Sequence, residues 1–376
     1  MLVAREIWQA NTTTENTSDH TWAAIPSWYR TGMGMGSQGW GVCESLIASS
    51  RDCRYHDPEK MVMLAERAVS VAEGLDPMQY GPEMVADMQA RSFAELANAH
   101  RVSDNLEAAE RIMRRAIEAS AHGTQDPLLL ARLMDLTASL LGAQRKFQEA
   151  LSLLDTVYVL YERHGDRHNA GRALLSKGLY CGYSNDAEQA VCLVSAGLAM
   201  IDPAADPKLV LSAVHNLIGF LADSGRFRQA RRLLRQSRQA YFAEGDRLAL
   251  LKLQWLQGRI AAGLGQLRLA EKSFLWAKRE LEQAGLGYHA ALVSLDLAIV
   301  WLRSGKAGST RRLIEEMVTL FQARGIAREA LAALLLLKES FTADDADSLE
   351  LLNAVREYLK KLETRPRFKA ARFRAL

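Results

Sequence analysis

Apolar residues recur along this chain at three- and four-residue intervals, in stretches of 15 to 18 residues separated by short polar breaks. The spacing predicts helices, and the breaks predict how they pair. Gly225, Gly265 and Gly305 stand 40 residues apart, and Ala230, Ala270 and Thr310 follow each by five. Ala190, Ala150 and Ala109 continue this register toward the N-terminus, ending in a less regular unit at Met61. A period near 40 with two helical stretches per unit predicts stacked hairpins, each burying its apolar face only against its neighbours.

The first helix is expected near 44–54, then one led by Asp57 as cap and Pro58 in the first turn, with an apolar stripe through Met61, Leu64, Ala65 and Ala68. Pairs follow near 83–100 with 105–121, 127–142 with 147–163, 167–182 with 187–200, 207–223 with 227–243, 247–263 with 267–284, and 287–303 with 307–324. A last pair is expected at 327–341 and 347–362. HGTQDP, HGD, DPAADP, EGD and ARG end the hairpins. Within hairpins, Gly225, Gly265 and Gly305 suit a left-handed turn, with Asp104 and Asn185 at the equivalent places. Ala97, Ala138, Gly178 and Gly258 precede Ala109, Ala150, Ala190 and Ala270 by twelve residues, which predicts close approach of two short side chains inside each hairpin.

These residues resemble the tetratricopeptide repeat family, most clearly through Gly258, Gly265, Ala270, Phe274 and Ala277, and through Phe93, Leu96, Ala97, Ala109 and Ala116. The resemblance covers residues 55–325 and is similar to repeat regions of bacterial regulatory and signalling proteins. It implies an all-α, right-handed α-α superhelix whose first helices line a concave groove, and it implies no enzyme chemistry. The period exceeds the family's usual length of about 34 residues. Ile218 and Ala298 replace the family's glycine, and Thr310 its alanine.

Carrying the family's concave positions onto this register selects Arg91, Asn98, Arg132, Asp135, Ser139, Arg172, Tyr183, His215, Asn216, Trp255, Arg259, Asp296 and Arg303. Mixed charges, amides and two aromatics suit peptide backbone, carboxylates and an apolar anchor together. The Lys and Asn carboxylate clamp of chaperone-binding relatives is not reproduced. The expected function is a non-enzymatic adaptor or regulatory protein binding a protein or peptide in that groove. The alternative is an accessory nucleic-acid-binding protein using Arg228, Arg231, Arg232, Arg235 and Arg238, one face of a second helix, with the basic run RPRFKAARFRAL. For that face, solvation or neutralisation by neighbouring acids is the plain reading.

Composition narrows the rest. The 376 residues are 49% hydrophobic and carry 47 basic and 44 acidic side chains, net +3, so no global field favours nucleic acid or an anionic membrane. Neither a secretion signal nor a bilayer-length apolar run is evident, and Cys43, Cys53, Cys181 and Cys192 lack disulfide density, so a cytoplasmic setting is expected. No metalloprotease, P-loop, nucleophile-elbow or dinucleotide motif occurs, and no cofactor or metal is expected. Cys43, Cys53 and His56 read as packing or surface residues, and Cys181 and Cys192 as buried thiols. Dispersed histidines such as His100, His122, His164, His168 and His289 read as structural.

Residues 1–43 form an irregular arm, 44–362 the repeats and 363–376 a basic tail. Trp22, Trp28, Tyr29 and Trp40 are read as covering the open end of the first hairpin; a docking arm or the remnant of an upstream domain are the other readings.

Overall fold

The computed structural model describes residues 38–54, 57–324, 352–354 and 356. Within these, every regular element is a helix. The expected last pair of helices, the tail and the rings Trp22, Trp28 and Tyr29 lie outside the described residues, 352–354 and 356 excepted.

The chain groups into two compact units, one ending at Ser184 and including Cys192–Asp206, the other comprising Asn185–Val191 and the chain from Pro207. The first holds α1 (Gln38–Cys53), α2 (Pro58–Glu73), the short α3 (Pro77–Tyr80), α4 (Pro82–Val102), α5 (Leu106–Ala121), α6 (Pro127–Ala143), α7 (Phe147–Arg163) and α8 (Arg167–Tyr183). After α9 (Ala187–Leu198), the second holds α10 (Pro207–Asp223), α11 (Phe227–Glu244), α12 (Arg247–Gly263), α13 (Leu267–Gln283), α14 (Gly287–Arg303) and α15 (Ala307–Arg324).

Helix starts follow local chemistry. Carboxylates of Asp57, Asp126, Asp166 and Asp246 accept amide hydrogens of the first turn, stabilising each start by about 1 kcal/mol. Hairpin turns pass through left-handed residues: Gly225, Gly265 and Gly305 at φ near 70°, and Asp104 and Asn185 at 64° and 70°. Arg145 adopts φ 66° in the α6–α7 turn, where composition offered no such signal. The small positions of the second helices are fully buried: Ala109, Ala150, Ala190, Ala230, Ala270 and Thr310 are all 0% exposed.

Three features depart from the sequence reading. Helix α1 begins at Gln38, ahead of the expected start near Glu44, despite Gly39 and Gly41. Burial of Cys43 and Ile47 in a cluster with Ala68, Ala72 and Val85, and contact of Trp40 with Tyr80 at 5.6 Å, outweigh the helix cost of glycine. Helix α3 adds a turn between the second and third long helices that no pattern announced. Gly258 is small for a different reason than expected, because a Cβ there would lie 2.4 Å from the Phe274 ring rather than against Ala270. The ring, one turn beyond Ala270, fills the notch, so the contact is glycine against aromatic.

Each unit has its own apolar interior. In the first, Phe93, Leu96, Ala97, Met113, Leu133 and Leu136 form one cluster and Leu154, Val157, Tyr161 and Tyr180 another. In the second, Phe274, Leu281, Leu292, Leu295, Ile314 and Leu352 are at most 2% exposed.

Candidate functional site

Helix α4 carries Arg91, Glu95, Asn98 and Arg101 at three- and four-residue spacing, which puts them on one face. Helix α6 repeats the device with Arg132, Asp135 and Ser139. In the first unit these faces meet charged groups from α1, from α8 and from the segment before α10. Arg91 grips Glu44 with both terminal nitrogens, at 2.6 and 2.8 Å. Glu95, fully buried, accepts from Arg51 Nε at 2.9 Å and lies 4.0 Å from Arg132, which also bonds Asp135 at 3.0 Å. Arg101 donates twice to Asn98 Oδ1, at 3.1 and 2.8 Å, and Asn98 donates to Glu95 at 3.4 Å. Asp206 receives Arg54, from the end of α1, and Arg172 of α8 at 3.4 Å.

The result is a lattice of three contact groups, Arg91 with Glu44, then Arg51, Arg101 and Arg132 around Glu95 and Asp135, then Arg54 and Arg172 with Asp206, coupled to one another by charge. Guanidinium groups outnumber carboxylates. Burial pulls Arg91 down to about 10, which leaves it charged at neutral pH. Burial also lifts Glu44 to about 7, with the Arg51 charge pulling the other way. Arg172 is lowered by burial and then by the neighbouring Arg132 charge, and its Nε is buried with no hydrogen-bond partner among the described residues. Buried polar N–H groups are ordinarily hydrogen-bonded, so this one stands out within the cluster.

Most of the expected groove residues of this unit therefore come together. Arg91, Asn98, Arg132, Asp135 and Arg172 are lattice members, and half-buried Ser139 hydrogen-bonds the buried Tyr180. Tyr183 stands apart, exposed, 6.1 Å from the Phe147 ring. Glu44, Arg51, Arg54, Glu95, Arg101 and Asp206 were not foreseen. Glu95 and Arg101 share the helical spacing of Arg91 and Asn98 and were legible from it. Asp206 was not, since 152 residues separate it from Arg54.

In the second unit Asp296 is 3% exposed and accepts from Trp255 Nε1 at 2.6 Å and Arg356 at 3.2 Å. His215 Nδ1 pairs with the Tyr241 hydroxyl at 2.8 Å, and Arg259 pairs with Asp223. Asn216 is half-buried beside them in sequence, and Arg303 is exposed. Arg228, Arg232, Arg235 and Arg238 lie exposed on α11 and Arg231 is half-buried. No carboxylate among the described residues pairs with Arg228, Arg231, Arg235 or Arg238, and all but Arg231 are exposed to solvent.

Among the described residues no group of three or more His, Cys, Asp or Glu side chains is placed to hold a metal ion; His56 lies outside them. Cys43 is buried between Ser92 Oγ at 3.2 Å and the Ala68 carbonyl, and burial pushes its thiol up to about 11. Cys181 is buried as expected, whereas Cys192 is exposed because it falls on the outer side of α9 while Ala190, Val191 and Val194 turn inward. No helix among the described residues is long and apolar enough to cross a membrane.

No family model matches the chain, and no curated protein matches it by sequence. Solved structures do match in fold. The apo quorum sensor NprR from B. thuringiensis aligns over 87% of this chain and 96% of its own, at 13% identity and TM-score 0.61. NprR in complex with its cognate peptide NprX covers 88% and 96% at 14% identity and TM-score 0.58. Aspartyl phosphate phosphatase F from Bacillus subtilis covers 76% and 71% at 13% identity and TM-score 0.55. With paired helices in a 40-residue register, left-handed turns and buried small residues in the second helices, this chain has a tetratricopeptide-like helical-repeat fold.

Proposed function

We propose that the protein is a non-enzymatic regulatory adaptor that binds a peptide or protein segment on the first-helix faces, and that the lattice of the first unit receives a carboxylate of that ligand. The observation that carries this reading is Arg172, whose buried Nε has no acceptor among the described residues while Arg132 and Arg54 add positive charge beside it. Leaving a buried donor unmade costs about 1 to 3 kcal/mol, and an incoming carboxylate recovers it with a charge-assisted bond. A C-terminal carboxylate or an acidic side chain supplies that chemistry. The complex of NprR with NprX supports the reading by showing a similar fold engaging a peptide. As a separate candidate contact, the second unit carries the half-buried Trp255 beside Asp296.

Capture from the native cell, followed by affinity measurement with the recovered peptide in free-acid, amidated and Asp/Glu-neutralised forms, tests this. Loss of about tenfold or more in affinity is expected for Arg172→Gln with the parent peptide, and for the parent protein with one neutralised form. A partner that binds Arg172→Gln, and separately a Trp255→Ala, Arg259→Ala double variant, with unchanged affinity would remove the first-helix faces from the function.

A further inference from the structure

Between α11 and α13, with α12 as its floor, the second unit holds a groove of about 520 Å³. Its floor is Leu253 and Ile260, and Phe242, Leu269 and Trp276 line its sides while remaining 62%, 42% and 38% exposed. Large apolar side chains left wet and contiguous mark a binding surface rather than incidental exposure. One edge is basic: Arg231, Arg235 and Arg238 descend α11 along it, Arg238 lying 5.7 Å over the Phe242 ring, and no Asp or Glu among the described residues lines the groove. Three arginines of the stripe, Arg231, Arg235 and Arg238, thus border the apolar groove.

We propose that this groove is a docking site for an acidic amphipathic helix of a protein partner, separate from the first-helix faces. Charge and shape select that occupant. The three arginines follow each other at four and three residues and span about 10 Å of α11, the rise of seven helical residues. A partner helix laid along α11 presents carboxylates at that same spacing while its apolar face covers Phe242, Leu269 and Trp276, the helix-in-groove mode of recognition. A nucleic-acid duplex satisfies the arginines alone, since its phosphates offer nothing to the apolar floor and walls, which stay wet. Arginines with no carboxylate partner among the described residues favour an acidic flank over a neutral or basic one.

The probe is a displayed library of helical peptides with leucine at the i, i+3 and i+7 positions and Glu, Gln or Lys at the flanking positions. It is selected in parallel on the full chain and on an Arg235→Glu, Arg238→Glu variant, each verified as folded by circular dichroism. The parent is expected to enrich Glu flanks and the charge-reversed variant Lys flanks. A parent-selected peptide should lose about tenfold or more in affinity on the charge-reversed protein and on Trp276→Glu, which places a charge in the wall and leaves the stripe intact. Identical flank composition on both proteins, or selected peptides that bind Trp276→Glu as well as the parent, overturns the proposal. So does a short mixed-sequence DNA duplex that binds the parent more tightly than any selected helix. Self-association of the parent that Trp276→Glu abolishes would also overturn it, because the groove's occupant would then be a second copy.

Discussion

Gly258 and Glu271 show two kinds of residue-scale constraint. At Gly258 a β-carbon would lie 2.4 Å from the Phe274 Cε1, and Phe274 is 1% exposed, so the ring has nowhere to swing. Gly258→Ala is expected to cost about 1 to 3 kcal/mol despite alanine's better helix propensity. Phe274→Leu should largely cancel that penalty in a double-mutant cycle followed by urea denaturation; additive effects would place the clash elsewhere. Ala270→Leu, at a fully buried position one turn away, should cost about 1 to 3 kcal/mol in the same assay. Glu271 is a question of charge. Burial opposes its ionisation, but hydrogen bonds from Lys306 at 2.7 Å and from Trp301 Nε1 at 2.6 Å prevail and hold its carboxyl below the ordinary range. The unfolded chain binds the proton first as pH drops, so the stability this group contributes is full above its unfolded value of about 4.3 and is lost as pH falls through the lower folded one. Glu271→Gln should therefore lower neutral-pH stability by about 1 kcal/mol, discounted because Lys306 is well exposed, and should flatten thermal stability against pH below about 4.5. A variant that keeps the parent's acid dependence would separate Glu271 from it.

At the scale of elements, each hairpin is set by its turn. The left-handed turn residue satisfies carbonyls at the end of the first helix: the amide of Gln266 reaches Ala261 O at 2.9 Å across Gly265, and the amide of Arg226 reaches Leu221 O at 2.8 Å across Gly225. Gly265, at φ 74°, cannot accept a β-carbon without strain, and Gly265→Ala should cost about 1 to 2 kcal/mol. Gly308 is the opposite case, a helical residue of α15 whose added β-carbon would meet nothing within 4 Å. Gly308→Ala should stabilise by about 0.5 kcal/mol through unfolded-state entropy and helix propensity. Opposite signs in thermal unfolding are the check, and equal signs would refute the conformational argument. The turns at Gly225, Gly265, Gly305, Asp104 and Asn185 were legible because glycine, Asn and Asp tolerate this region. Arg145 was not, because its turn is imposed by the helices on either side, and the start of α1 was not, because burial of Ile47 overrides two glycines.

At the scale of the molecule, Asp206 ties the first unit to its own beginning. It receives Arg54, 152 residues away, together with Arg172. Removing one carboxylate from partly buried cations costs more than the pair is worth in isolation, because the charges stay behind. Asp206→Ala should destabilise the protein by about 2 kcal/mol, whereas a joint Arg54→Met, Arg172→Met, Asp206→Leu replacement should recover much of that. Guanidinium denaturation of the single and triple variants measures both, and a single variant as stable as the parent would mean that the tie is only a surface pair.

For the described residues the sequence alone determined the long helices, their pairing, the turns at Gly225, Gly265, Gly305, Asp104 and Asn185, and the buried small residues of the second helices, since these follow from periodicity and from side chains acting on backbone within a few residues. It also placed Arg91, Asn98, Arg132, Asp135 and Arg172 on helix faces of matching register. Only the tertiary structure decided what those faces became. Glu44, Arg51, Arg54 and Asp206 enter the lattice by contacts between segments far apart in sequence, and electrostatic pairing depends on distance in space. The stripe on α11 was visible as five arginines, but the apolar groove beside it needed Leu253, Leu269 and Trp276 from two other helices, which no helical period relates to Arg235.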